Sequence, residues 1–334
     1  MGTVWIEFGV CLAIILVAGA ALSHYGDAIA EKSGLGRTWI GVILLATVTS
    51  LPELFSGIGA VTFANVPDIA IGSLMGSCVF NLALIAPIDF ISRKKSVYTT
   101  AGQVHILSAA LGLILIGFVA FNLLLAKFVV EPSWNGVGAS SPVIIIIYLA
   151  SMSMLFRHER RQADERVAEA SVRYGGISGR RVGALFAIAA VVVVTAAMWL
   201  PTIGDRMGEA MGWNESFVGT LFVAFATSAP ELVVTLAAVR IGAIDLAIGN
   251  VLGSNLFNMA EVGLLDPLYR KGPLLTDVSA SHAATAFTAV MMSGLVVVGL
   301  FYRPGRRVLR TVGWVSIVLA GLFLLNSFFV YYAQ

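Results

Sequence analysis

Twice in this 334-residue chain a glutamate follows a proline inside an apolar run long enough to cross a lipid bilayer, at Pro52-Glu53 and at Pro230-Glu231. A carboxylate in hydrocarbon is costly, and a proline inside a helix removes a backbone donor and bends the chain. A fold that accepts both must compensate both from within the protein. Apolar runs of about 20 residues recur from end to end, each enough to span roughly 30 Å as a helix. With 58% hydrophobic and 12% charged residues, the composition excludes an ordinary soluble domain. Cys11 and Cys78 both lie in apolar runs and predict neither a disulfide framework nor a CxxC metal site. Glu7 is the only charge near the start, so the first run reads as a retained span and not as a cleaved leader.

The pattern predicts an all-α integral membrane protein with ten spans, at 4–23, 38–64, 68–91, 102–126, 138–156, 182–201, 214–239, 243–266, 280–302 and 311–332. The polar segment 157–181, expected to contain an exposed helical piece, divides the chain into 1–156 and 182–334, each with five spans. Numbering the loops alternately places 17 of the 21 Lys and Arg on one side and 4 on the other. The richer side is cytoplasmic by the positive-inside rule, which puts both termini outside and the 157–181 loop inside. The basic residues fall in short loops and suggest no nucleic-acid partner; the partner implied is the bilayer, and no obligate protein partner is evident.

The two glutamates belong to an internal repeat. Residues 46–54 and 224–232 share A-x-x-T-S-x-P-E-L at an offset of 178. Farther on, Asp68, Gly72, Gly76-Ser77 and Phe80-Asn81 match Asp245, Gly249, Gly253-Ser254 and Phe257-Asn258 at an offset of 177. Five spans separate the copies, an odd number, so the second enters the membrane from the opposite side. That predicts two inverted-topology repeats, an arrangement associated with alternating access. Helical spacing puts Thr49, Ser50 and Glu53 on one face, and Thr227, Ser228 and Glu231 likewise. Ser77 with Asn81, and Ser254 with Asn258, add a hydroxyl and an amide oxygen in the following spans. Proline frees carbonyls near Ala46 and Ala224. The set is one of hard oxygen ligands, suited to Ca²⁺ or Na⁺. Gly72/Gly76 and Gly249/Gly253 have the spacing that lets helices approach closely.

These two segments resemble the paired α-repeats of the Ca²⁺/cation antiporter superfamily, most closely its Na⁺/Ca²⁺ exchanger branch. The resemblance spans both motif pairs (46–81 and 224–258) and the five-plus-five layout. It implies that Glu53 and Glu231 are central cation ligands, completed by Thr49, Ser50, Ser77, Asn81, Thr227, Ser228, Ser254 and Asn258. It implies a secondary transporter without cofactor, exchanging Ca²⁺ for Na⁺, with H⁺ as the alternative driver and a channel as the weaker reading. The first and sixth spans would slide against the other eight. A microbial plasma membrane is the expected location. Exchangers of this branch often carry Asp at one of the two Asn81/Asn258 positions; here both are amides. Cys78 stands where Asn is usual, and Val48 where Gly is usual.

Glu261 falls three residues beyond Asn258, on one stripe with Ser254. It either faces a water-filled vestibule or a polar neighbour, or serves as a third carboxylate in place of the absent Asp. His24, His158 and His282 read as interfacial, His105 as structural, and Asp68 and Asp245 as helix caps that could also draw cations to the entrances. No HExxH, GxSxG or paired catalytic Asp suggests an enzyme.

Overall fold

The computed structural model describes residues 2–33, 46–92, 96–163, 178–240, 244–304, 307–308 and 311–332. The described chain is helical apart from two short antiparallel hairpins, Ser133–Trp134 with Val137–Gly138 and Arg307–Val308 with Val312–Gly313. The long helices are α1 (Gly2–Ser33), α4 (Pro67–Ala83), α6 (Val104–Leu125), α7 (Ser140–Ala163), α8 (Gly179–Met211), α11 (Ile244–Leu265), α12 (Ser281–Tyr302) and α13 (Trp314–Tyr332). Between them lie α2 (Ala46–Thr49), α3 (Leu51–Gly59), α5 (Ile85–Ile91), α9 (Ala224–Thr227) and α10 (Ala229–Arg240).

Seven helices among the described residues are long and apolar enough to cross a membrane, or eight if the bent pair at 215–240 is one span. The 22-residue α11 is as long as a span but carries Asp245, Asn250, Ser254, Asn255, Asn258 and Glu261. Many large apolar side chains face outward, among them Ile6, Val17, Phe121, Phe301 and Leu324, as a lipid-facing surface requires.

Both proline-glutamate segments break where predicted. Ser50 (φ −89°, ψ 5°) separates α2 from α3, and Ser228 (φ −81°, ψ 6°) separates α9 from α10. Pro52 and Pro230 then stand in the first turn of a new helix, where a missing N–H costs nothing. The second segment bends by 42° at its break. Of the predicted span 38–64, residues 38–45 lie outside the described residues, and 60–64 form a π-helical turn. Most of the 157–181 linker is also outside them; residues 157–163 continue α7 and 179–181 begin α8.

The sixth span differs from the expected 182–201. Helix α8 runs on through Pro201 to Met211, where Gly212 ends it in the left-handed conformation (φ 70°). Its charged last turns are accommodated because Arg206 pairs with Glu7 on α1. Helices α1 and α8 pack along each other and are only 28% buried, against 83% for the α4–α5 span. The centre is therefore the crossing of α4 and α11, enclosed by α6, α7 and α12.

Close approach of α4 to the 218–224 segment, which leads into α9, depends on Gly76. A Cβ there would meet the Thr220 carbonyl oxygen at 2.2 Å and Ala224 Cβ at 2.9 Å. Gly219 faces back, its Cβ position 2.7 Å from the Ile69 oxygen. Because the obstacle is backbone, Gly76→Ala is expected to destabilise the protein by about 1–3 kcal/mol. Thermal unfolding of the purified variant, set beside Gly294→Ala with its 3.5 Å neighbour, measures it.

Candidate functional site

The breaks at Ser50 and Ser228 turn each half's hydroxyl onto the other half's carboxylate. Ser50 Oγ donates to Glu231 Oε1 at 2.8 Å, and Ser228 Oγ donates to Glu53 Oε1 at 2.7 Å. Within each half, Ser77 Oγ approaches Glu53 Oε1 at 3.5 Å and Ser254 Oγ approaches Glu231 Oε1 at 3.4 Å. Ser228 Oγ also lies 2.7 Å from Ser77 Oγ. Thr49 and Thr227 turn their hydroxyls to the carbonyls of Ala46 and Ala224, at 3.2 and 3.3 Å. Those carbonyls also accept from Ser50 N and Ser228 N, so both are already engaged in this conformation. Ser50, Ser77, Ser228 and Ser254 thus gather around Glu53 and Glu231, and all ten residues singled out in the sequence are at most 1% exposed.

The amides are held by their donor ends. Asn81 Nδ2 donates to Asn255 Oδ1 at 3.1 Å, while Asn255 Nδ2 donates to the Cys78 carbonyl at 3.2 Å. Asn258 Nδ2 reaches Cys78 Sγ at 4.0 Å. Both outer Asn oxygens are left as acceptors. Buried and without a hydrogen-bond partner are Glu53 Oε2, Glu231 Oε2, Asn81 Oδ1, Asn258 Oδ1 and both oxygens of Glu261. Buried polar atoms are normally satisfied, and six acceptors without a donor ask for protons or cations. All are hard oxygens, the chemistry of Ca²⁺ and Na⁺. Among the described residues no three His, Cys, Asp or Glu side chains converge on one point.

Residues the sequence reading passed over hold the frame. Asn250 takes a hydroxyl from Thr49 at 3.3 Å and gives its amide to Thr235 at 3.2 Å. Asp89 is fully buried and accepts from Ser96, Val97 N, Gly313 N and Ser316. Asp266 accepts in the same way from Gly138 N, Ser141 and Leu274 N. Each aspartate ties a hairpin and a helix start to the end of its own span. They stand 177 apart, the repeat's own offset, which was the available signal.

His105 and His282 share that offset. His282 is not interfacial as expected: it is 1% exposed, with Nε2 2.7 Å from Asp68 Oδ1. His105 Nε2 lies 3.0 Å from Asp245 Oδ1. The two span-initial aspartates also accept from Ser279 N and Gly102 N. Asp68 further lines a cleft of about 640 Å³ with Asp205, Glu209 and Glu215, an acidic mouth near one end of the bundle.

A multi-helix membrane fold enclosing a buried anionic cluster of oxygen ligands is the class of an ion transporter. The sodium/calcium exchanger protein family matches residues 3–157 and 182–332, and the chain belongs to that family. It is 25% identical over 332 residues to the inner membrane protein YrbG of Escherichia coli, covering 96% of each chain. It is 27% identical to the sodium/calcium exchanger MaX1 of Methanosarcina acetivorans (90% of this chain, 92% of that one). It is 24% identical to the Ca²⁺/H⁺ antiporter ChaA of Bacillus subtilis (74% and 70%). The fold matches that of the sodium–calcium exchanger NCX_Mj with a TM-score of 0.62 at 22% identity, covering 97% of this chain and 98% of that one.

The aspartate staples give a test separable from ion binding. Asp266→Ala strands Gly138 N and Leu274 N in the interior and is expected to cost about 3 kcal/mol. Asp89→Ala should do the same at Val97 N and Gly313 N. Thermal unfolding of both variants with and without Ca²⁺ should show lower melting temperatures and an undiminished Ca²⁺-induced rise.

Proposed function

We propose that this protein is a secondary antiporter that moves Ca²⁺ across the membrane in exchange for Na⁺ by alternating access. The observation that carries the reading is the reciprocal pair Ser50–Glu231 and Ser228–Glu53, surrounded by acceptors that have no donor. In the ion-bound state Glu53 and Glu231 are the central ligands. Thr49, Ser50, Ser77, Asn81, Thr227, Ser228, Ser254 and Asn258 complete the shell, with the Ala46 and Ala224 carbonyls entering as the threonine hydroxyls rotate away. Two carboxylates neutralise one Ca²⁺ or two monovalent ions, so the two substrates compete for one charge balance.

The architecture we infer is ten spans in two inverted repeats, 1–156 and 182–334, joined by a cytoplasmic linker at 157–181, with both termini outside. The paired contacts at Glu53/Glu231, Asp89/Asp266 and His282/His105 support a two-fold relation between the halves. Helices α1 and α8 are the natural moving pair. They pack along each other, are largely exposed, and contribute none of the site's side chains. The protein acts without a cofactor and without enzymatic chemistry, in the cell membrane of a microbe.

Proton coupling is the second reading. It is favoured by the pair of amides at Asn81 and Asn258, which leaves no third charge in the ten-residue set, and by the similarity to a Ca²⁺/H⁺ antiporter.

Ca²⁺ flux into proteoliposomes under imposed Na⁺ or H⁺ gradients tests both. The expectation is uptake driven by an outward Na⁺ gradient at constant pH. Uptake that follows only the pH gradient would shift the assignment to H⁺, and uptake with no counter-gradient would indicate a channel. Glu53→Gln and Glu231→Gln should each lower coupled flux by on the order of 100-fold while leaving the protein folded. Normal exchange in either variant refutes the site.

A further inference from the structure

Glu261 stands apart from the ten-residue set. It lies on α11, one turn beyond Asn258, with its side chain 0% exposed. Neither of its oxygens has a hydrogen-bond partner among the described residues. It does not open onto a water-filled vestibule, which was one of the two readings its sequence position allowed. The charged groups that act on it are Glu53 of α3 and Glu231 of α10, both acidic. The other titratable groups near it are Cys78 of α4 and Tyr148 of α7, neither a cation. Tyr148 also packs its ring edge-on against Phe257, 6.2 Å between centroids. A carboxylate in this place has no donor, no counter-charge and two like charges for company. Evolutionarily cheap apolar residues would fill the volume without that cost, and a buried ionisable group that serves only packing is destabilising.

Asn258 supplies what Glu261 lacks in position. Its Nδ2 is turned to Cys78 Sγ, so its unpartnered Oδ1 remains free on the stripe that leads to Glu261. Residues three apart on a helix are surface neighbours. Three orphaned acceptor atoms, Asn258 Oδ1 and the two oxygens of Glu261, thus belong to one face of one helix. Among the described residues no three acids converge on a common point, so Glu261 adds to the edge of the central set through Asn258, which belongs to both.

We propose that Glu261, with Asn258 Oδ1, forms an additional subsite for a monovalent cation, Na⁺ or a proton, beside the central Glu53–Glu231 site. This rests on the antiporter reading above and extends it. With Glu261 the cavity carries three carboxylates in place of two. Three monovalent ions then leave it neutral, whereas one Ca²⁺ leaves one negative charge in place, so the third monovalent ion travels only on the leg opposite to Ca²⁺. The extra acid restores, from one turn along the helix, the charge that two amides at Asn81 and Asn258 take away. Unloaded, the third carboxylate repels the other two; loaded, it does not, so occupancy of this subsite and of the central site are linked.

The test is the coupling ratio of the full-length protein in proteoliposomes. The Ca²⁺ gradient at which net flux vanishes is measured against an imposed Na⁺ gradient at fixed pH, an imposed pH gradient at fixed Na⁺, and a clamped membrane potential. Glu261→Gln preserves shape and removes the charge. It is expected to keep Ca²⁺ transport but lower the number of monovalent ions moved per Ca²⁺ by one. The loss appears in the Na⁺ arm if the subsite takes Na⁺ and in the pH arm if it takes a proton. A ratio unchanged in both arms overturns the proposal.

Should the variant not transport, the same count is read from stability. In the absence of Ca²⁺, the rise of melting temperature with log[Na⁺], and separately its dependence on pH, should weaken in Glu261→Gln and return in Glu261→Asp. Unweakened dependences on both overturn the proposal just as directly. Glu53→Gln serves as the control that separates the two claims. If it exchanges normally, the central site is wrong whatever Glu261 does; if it is inactive and only the Glu261 results are null, the additional subsite alone falls.

Discussion

Two carboxylates enclosed in a membrane-spanning bundle, with no ion pair to a basic side chain among the described residues, set the terms for everything else in this protein. Each is answered by a hydroxyl from the opposite half, Ser228 for Glu53 and Ser50 for Glu231. That exchange makes neither half self-sufficient: a five-helix unit alone would bury a carboxylate with only the long contact from its own serine. The serines can reach across because each sits at a helix break, and the break exists because proline follows two residues later. One residue type thus explains the kink, the turned hydroxyl and the crossing of the halves. What the hydroxyls leave unanswered is one oxygen on each glutamate and one on each outer asparagine.

Holding such a site requires a frame stiffer than the part that moves. Helix α4 meets the 218–224 segment at backbone distance through Gly76 and Gly219, and the ends of the α4–α5 and α11 spans are pinned by Asp89 and Asp266, each taking several donors from distant loops. The His–Asp contacts at Asp68 and Asp245 add a second pair of pins at the starts of the same two helices. By contrast α1 and α8 pack along one another, joined by the Arg206–Glu7 pair, and expose most of their length, although α8 also packs against α3, the helix that carries Glu53.

Much of this was legible in the sequence because the constraint is severe. Glutamate after proline in an apolar run, twice, with hydroxyls at helical spacing, admits few explanations; all ten candidates are buried, and four of their serines lie on the two glutamates. The position of Glu261 was visible, but its sealed, donorless surroundings were not, since burial depends on which helices pack over it. The aspartate and histidine pairs were missed for a different reason. Asp89 and Asp266 fall at predicted span ends, where a charge is expected to meet water, and His282 looked interfacial on the same ground. Only the packing of hairpins and loops over those ends buries them. The length of α8 was underestimated because Pro201, Asp205 and Arg206 read as a loop, and the compensation by Glu7 lies 199 residues away.

The two halves are alike in frame and unlike in ligand support. At the position where the second half has Asn255, the first has Cys78. Asn255 spans the α4–α11 crossing, accepting from Asn81 Nδ2 and donating to the Cys78 carbonyl, so the Asn81 amide is fixed by a strong acceptor. The reciprocal contact, Asn258 Nδ2 to Cys78 Sγ at 4.0 Å, is the weak interaction a thiol offers. Asn258 is therefore the less constrained of the two amides, and it is the one beside Glu261. A loosely held oxygen next to a carboxylate adapts to ions of different size more readily than a pinned one. The unequal pair at 78 and 255 thus leaves the second half's amide less tightly fixed than the first's.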